Sequence, residues 1–383
     1  MFFVRNLVVL LLLTSPMYWF FGVDVLEFSI LKYTVLLFLF VFSLYITYKN
    51  KIEFDIYIIV LVLGMIVCIC ISELLNGVTD YFFNGIYPLI YYIVLMILFN
   101  SVFSLFNNSE IYAIVKGVNF SFFLLSIIIL LDYFLELKIS APGVKETIST
   151  TGFTFLRTGW SGSISLFVGL TIYFTTSLGK RLSKFEVLFL FTVIYVQYIS
   201  GGRGGALSSL LLLSYYFLFI DHGKNRLIFI ASITIMLLYI SSSELFITHL
   251  RLDRLDDAAN GGITAGRITQ YIEGLKYILD NSFMPSGTQG YLNYFHSIGI
   301  FYLIHNVPLN LLVQYGFLFI IIFILFIYYG ACYRTQDKRL TVIVLLMLIP
   351  SLFEPAAIFI NVNAYLVWWF VFYYHIYLKS INT

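Results

Sequence analysis

The sequence predicts an all-α, polytopic integral membrane protein of about twelve transmembrane helices, with a large periplasmic loop between the ninth and the tenth. Three observations carry that expectation. Of 383 residues, 61% are hydrophobic and 11% charged, with a mean hydropathy of +0.94, a balance outside what a water-soluble globule tolerates on its surface. Apolar runs of about 18 or more residues recur along the whole chain, the length a spanning helix needs. The runs are continuous rather than alternating, so barrel strands are excluded.

The spans follow from hydropathy and from the polar links that bound them. The first, Leu7 to Phe21, follows Arg5; Tyr18-Trp-Phe-Phe-Gly22 offers no small-x-small cleavage site, so it reads as uncleaved. Asp24 to Glu27 separates it from Ile30 to Tyr48, and Lys49 and Lys51 separate that from Phe54 to Leu75. The acidic link Glu73 to Asp80 precedes Ile86 to Phe106, which leads to Ile111 to Leu135. After the polar segment 136–161 come Gly162 to Leu178, the basic link Lys180, Arg181 and Lys184, and Phe185 to Ile199. A glycine island then precedes Ala206 to Ile220, and Lys224 and Arg226 precede Leu227 to Ser243. The polar segment 241–306 separates that ninth span from Val307 to Tyr329. Arg334, Lys338 and Arg339 introduce Leu340 to Leu352, and Ile360 to Leu378 closes the series before Lys379.

The basic links all fall on one alternate set of connections, which the positive-inside rule makes cytoplasmic, with both termini. The segments 136–161 and 241–306 then face the periplasm of a bacterial inner membrane, where long polar loops collect binding and chemistry. Residues 1–383 read as a single transmembrane domain. Within the larger loop, Ile268, Tyr271, Leu275 and Ile278 recur at helical spacing behind Arg267, predicting a short amphipathic helix on the membrane surface, while Gly287 and Gly290 mark turns.

Composition excludes several classes of function. A net charge of +2 without a basic stripe excludes nucleic acid. Cys68 and Cys70 lie within one apolar run and Cys332 beside another, so neither a disulfide nor a zinc set is indicated. No metal site and no cofactor is expected.

Four residues on the outward side stand in distinctive contexts: Arg157 in Arg-Thr-Gly-Trp, Arg203 in Ser200-Gly-Gly-Arg-Gly-Gly205, Arg267 in Ala-Gly-Arg-Ile-Thr, and His305 in His-Asn-Val-Pro. A single arginine at a membrane interface ordinarily snorkels to lipid phosphate. Arg203 differs, because glycines on both sides leave it no anchoring surface, and a mid-bilayer charge costs about 2.5 to 3.5 kcal/mol. Guanidinium groups hold phosphate oxygens bidentately and stay charged, so three of them suit a diphosphate. Gly202 and Gly204 would let backbone approach such a ligand, although the nucleotide-loop pattern is missing. His305 is of the residue type that accepts a proton near neutrality, and Asn306 could orient it or a substrate hydroxyl. Arg251 and Arg254, interleaved with Asp253, Asp256 and Asp257, read as a solvated patch, His249 and His296 as surface residues, and Glu354 as a candidate acidic partner. His222 and His375 fall on the cytoplasmic side.

This pattern resembles the superfamily of O-antigen polymerases and O-antigen ligases. The resemblance rests on Ser200-Gly-Gly-Arg-Gly-Gly-Ala-Leu207 opening a span, on Gly266-Arg267 with a helix leading to Pro285 and Gly287, and on His305-Asn306 followed by Gly316. It covers roughly the second half of the chain, and Arg157-Thr-Gly extends it forward. The resemblance implies metal-independent, inverting glycosyl transfer at the periplasmic face from an undecaprenyl-diphosphate-linked oligosaccharide, with membrane lipid and a chain-length regulator protein as partners. Arg157, Arg203 and Arg267 would hold the donor diphosphate and His305 would activate the acceptor hydroxyl. Phe319 departs from the ligase pattern, and the Ile/Phe/Tyr/Asn/Lys bias is common in polysaccharide-locus polymerases. A polymerase is therefore expected, with a ligase transferring polysaccharide to lipid A core as the alternative. A flippase fits less well, since neither related halves nor a polar midplane is visible. A metal-dependent glycosyltransferase would have Asp24 and Glu27 at hand but lacks an Asp-x-Asp pair.

Overall fold

The computed structural model describes residues 40–49, 55–76, 82–103, 105–135, 157–200, 203–221, 267–281, 283–299, 304–333, 337–353 and 366–382, with isolated positions before 40 and between 226 and 234. Among them all regular structure is helical. After a helical stretch over 40–49 the helices are α1 (Ile56–Leu75), α2 (Phe82–Phe103), α3 (Asn108–Leu135), α4 (Arg157–Ser177), α5 (Lys184–Ser200), α6 (Arg203–Tyr215), α7 (Arg267–Asp280), α8 (Gly287–Ser297), α9 (Val307–Ala331), α10 (Lys338–Leu346) and α11 (Leu366–Asn382). A π-helical turn, Tyr216–Ile220, extends α6, and a 3-10 turn, Ile349–Leu352, follows α10.

Three helical stretches are long and apolar enough to cross a membrane, namely α1, Asn108–Ile128 of α3, and α9. The apolar stretches Tyr92–Ser101, Ile164–Ser177 and Gly204–Ile220 are shorter. The first expected span, apart from Val9, and most of the ninth lie outside the described residues. The span expected over 340–352 is helical in two pieces, α10 and the 3-10 turn. It runs from the Ala331 end of α9, where Thr341 Oγ1 donates to the Ala331 carbonyl at 2.9 Å, to its Asn306 end, where the Leu352 carbonyl accepts from Asn306 Nδ2 at 3.3 Å.

Helix α1 shows why these helices suit an apolar surround. Asp55 caps it, its Oδ1 accepting from the N–H of Tyr57 at 3.0 Å. Ile58, Val62, Met65 and Ile69 are buried at three- and four-residue spacing, whereas Val60, Leu63, Val67 and Ile71 on the other side are exposed. A helix apolar all round belongs in lipid or in a core. The inner face packs antiparallel on α9, through the rings of Tyr57 and Tyr329 at 5.4 Å and the Ser72 hydroxyl donating to the Gln314 carbonyl at 2.6 Å. Glu73, expected in a polar link, is instead inside α1 and 1% exposed.

At the centre stands α4, buried on every side from Ile164 to Thr176 and packed on α3, α5, α6, α10 and α11. Gly169 admits the Met347 side chain. Leu182, just beyond α4, donates its N–H to the Tyr216 hydroxyl at the end of α6. The C-terminal ends of α4 and α6 are therefore together, and so are their N-terminal ends. At the C-terminal end His375 is buried, bonded to the Tyr173 hydroxyl at 2.8 Å and the Ala331 carbonyl at 3.2 Å.

Helix α9 is broken at Gly316, with φ 82° and ψ 179°. The break takes the Val313 and Gln314 carbonyls out of the helical ladder, and a buried carbonyl needs a donor. Ser286 supplies the first, through N–H at 3.0 Å and hydroxyl at 2.9 Å, and Ser72 supplies the second. At this φ a side chain is strained whatever the space, so Gly316→Ala is expected to cost about 1–3 kcal/mol. Unfolding of the detergent-solubilised protein checks it; an unchanged midpoint would show that the break is not a constraint.

Candidate functional site

Helices α7 and α8 fold back over the N-terminal half of α9 and form a second, small core of Ile278, Tyr291, Phe295, Ile304 and Val313. Close approach is possible because α7 carries Gly274, where a Cβ would lie 2.9 Å from Ile304 Cδ1 and 3.3 Å from Leu309 Cδ2. Gly287 opens α8 with φ 63°, while Gly290, expected at a turn, is helical. A Cβ on Gly287 would meet the Glu73 carboxylate oxygen at 3.5 Å. The carboxylate thus sits at the N-terminus of α8, where negative charge is favoured.

This core delivers the backbone of His305. The Ile304 N–H donates to the Tyr291 hydroxyl at 2.7 Å. Burial pushes the Tyr291 phenol well above its ordinary range, outweighing that bond, which pulls it down. A raised value means that Tyr291 contributes fully below about pH 10, the ordinary tyrosine value, and that its contribution is lost as pH rises beyond it. Tyr291→Phe leaves a buried N–H without its acceptor, a loss of about 1–3 kcal/mol. Faster hydrogen exchange of the segment around Ile304 is the expected reading, and unchanged protection would contradict it.

The ring of His305 is held from α7. Gln270 Oε1 accepts the His305 backbone N–H at 3.2 Å and lies 3.0 Å from Nδ1. Because the backbone group can only donate, the Gln270 atom must be its oxygen, and an oxygen needs the proton on Nδ1. Nε2 is then the basic nitrogen of the neutral imidazole, the arrangement a general base requires. Gln270 is 6% exposed, so this second interaction is sheltered from water. The neighbouring Tyr271 hydroxyl donates to the His305 carbonyl at 2.8 Å and the Leu352 carbonyl at 3.3 Å.

The turn over 349–353 joins the remaining segments. Asn306 Nδ2 donates to the Leu352 carbonyl at 3.3 Å, while its Oδ1 caps α9 by accepting from Leu309 N–H at 2.9 Å. Both polar atoms of Asn306 therefore serve the fold, and any contact to an acceptor would use its second amide hydrogen. Phe353 fills the bare face of Gly204, where a Cβ would lie 2.8 Å from Phe353 Cβ. Expected to approach a ligand, Gly204 instead lets α6 pack on this turn. Through Leu352 and Phe353, the start of α6 is joined to Asn306 and to Tyr271 of α7, which also holds the His305 carbonyl.

The arginines have a common placement. Arg157 is the first residue of α4, Arg203 of α6 and Arg267 of α7, and His305 lies two residues before α9. For Arg157 and Arg203 the description extends to the backbone; Gly202, Glu354 and residues 241–266 lie outside the described residues. Arg157 shares the bundle end of Arg203, and Arg267 begins the helix whose next turn holds His305. A helix N-terminus favours anions and disfavours cations by about 0.3–1 kcal/mol each. A cation opening each of three helices is offset when an anion lies among them.

Among the described residues no three His, Cys, Asp or Glu gather in metal-ligating reach. Sequence placed Tyr271 only in an apolar stripe with Ile268, Leu275 and Ile278, and singled out neither Gln270 nor the Leu352 carbonyl; in the structure Ile278 leaves that stripe and is buried beside Gln270 and Gly274. The fold and site define a class: an all-helical protein with helices of membrane length and a polar site at one end of the bundle. No protein-family model matches the chain, and neither a curated protein nor a solved structure matches it.

Proposed function

We propose that the chain is an O-antigen polymerase, a glycosyltransferase of about twelve spans in a bacterial inner membrane, with both termini cytoplasmic and its site facing the periplasm. Its substrates are undecaprenyl-diphosphate-linked oligosaccharide repeat units. The observation that supports it best is the gathering of the α6 start, Gln270 and Tyr271 of α7, and His305 around the 349–353 turn, with the basic nitrogen of His305 assigned by Gln270. His305 Nε2 takes the proton of the acceptor hydroxyl as its oxygen bonds to the donor sugar C1 from the face opposite the diphosphate. The C1–O bond to phosphate breaks, its electron pair leaves on the diphosphate, and Arg157, Arg203 and Arg267 stabilise the charge developing there. Inversion at C1 follows from the opposed faces.

A ligase reading is kept open by one observation, the spacing of Gly316 from His305-Asn306. A deletion strain separates the two. A lipid A core bearing one repeat unit is expected for a lost polymerase. A bare core with accumulating lipid-linked polymer would identify a ligase, and unchanged polysaccharide would remove both.

A further inference from the structure

Helix α7 has three distinct faces. Gln270, Gly274 and Ile278 are buried against the small core. Thr269, Glu273, Lys276 and Asp280 form a polar side, on which Lys276 Nζ meets Glu273 Oε1 at 2.6 Å. The third face carries Ile268 at 53%, Ile272 at 47%, Leu275 at 51% and Leu279 at 65% exposure. At 3.6 residues per turn these four fall within about 60° of the helix circumference. Four large aliphatic side chains aligned in the open are not ordinary surface. What covers them is indicated by continuity: past Leu279 the chain exposes Phe283 and Met284, and the Phe283 ring packs at 6.3 Å on Phe317. Phe317 and Leu318, 56% and 60% exposed, belong to the outward side of the membrane-length helix α9.

We propose that α7 is an interfacial helix whose Ile268–Ile272–Leu275–Leu279 stripe is seated among the acyl chains of the bilayer, its charged side toward the headgroups. The stripe continues the lipid-facing side of α9 around Phe317, and Gln270 and Tyr271 on the same helix then hold His305 at headgroup depth. The inference rests on the fold and not on glycosyl transfer. Its test is spin labelling of single cysteines in a chain with Cys68, Cys70 and Cys332 replaced, reconstituted into vesicles of phosphatidylethanolamine and phosphatidylglycerol. Labels at 268, 272, 275 and 279 are expected to collide several-fold more with oxygen, which concentrates in lipid, than with a water-soluble nickel chelate; labels at 269, 276 and 280 should show the reverse. Access of the nickel chelate to the stripe overturns the proposal, as does low access of both reagents, which would mark a protein surface there. The labelled positions are all exposed, so packing is undisturbed, and the reading requires no activity.

Discussion

Replacing His305 with alanine is expected to lower polymer formation by about 10²- to 10⁴-fold, the range for a positioned general base. The protein should still insert in the membrane, because the backbone N–H that anchors this position to Gln270 survives the substitution. The companion substitution is Gln270→Leu, which keeps bulk but removes the acceptor that places the proton on Nδ1. It should reduce the rate less than loss of the imidazole and should leave the dependence on donor concentration unchanged, since Gln270 acts only through His305. Polysaccharide banding on gels from complemented deletion cells, with turnover of purified protein on lipid-linked repeat units, reads both. Full-length banding with His305→Ala would remove the base from the mechanism.

Arg203→Ala is expected to cost about 10²- to 10³-fold, the scale of losing one preorganised group at a developing oxyanion. Arg203→Lys should recover only a small part, because a lysine restores the charge without the planar fork that meets two phosphate oxygens. Neither change should unfold the chain, since the close packing at this helix start belongs to Gly204 against Phe353. If Arg203 only snorkelled to lipid phosphate, lysine would replace it fully; that outcome, read on the same gels and by release of undecaprenyl diphosphate, would end its assignment to the donor.

The fold was legible where hydropathy is strong and continuous. Helices α1, α3 and α9 stand close to their expected bounds because about 20 apolar residues in succession have few other ways to satisfy their backbone in lipid. The stretch over 340–352 runs beside α9 as a nine-residue α-helix and a 3-10 turn, with Ile343, Val344 and Met347 buried against the bundle, and hydropathy gave no sign of the change of helix type before Pro350. Glu73 was assigned to a link because charge usually marks one, yet it lies buried beside the α8 N-terminus. The candidate site was legible in part. Arg267 and His305 stood out as polar residues at the edges of apolar runs, whereas Gln270 looked like one polar residue of an amphipathic helix, and the Leu352 carbonyl has no sequence signal at all.

By itself the sequence determined that this chain is helical and apolar, and that Arg157, Arg203 and Arg267 lie at or near helix entrances, because hydropathy, caps and breakers act over one or two turns. Only the tertiary structure decided that Gln270, Tyr271, Asn306 and the 349–353 turn gather at His305, and which His305 nitrogen is basic. Those properties depend on contacts between residues 35 apart for Gln270 and His305, 46 for Asn306 and Leu352 and 242 for Ser72 and Gln314. No local rule couples positions so distant; packing at Gly204, Gly274 and the break at Gly316 does.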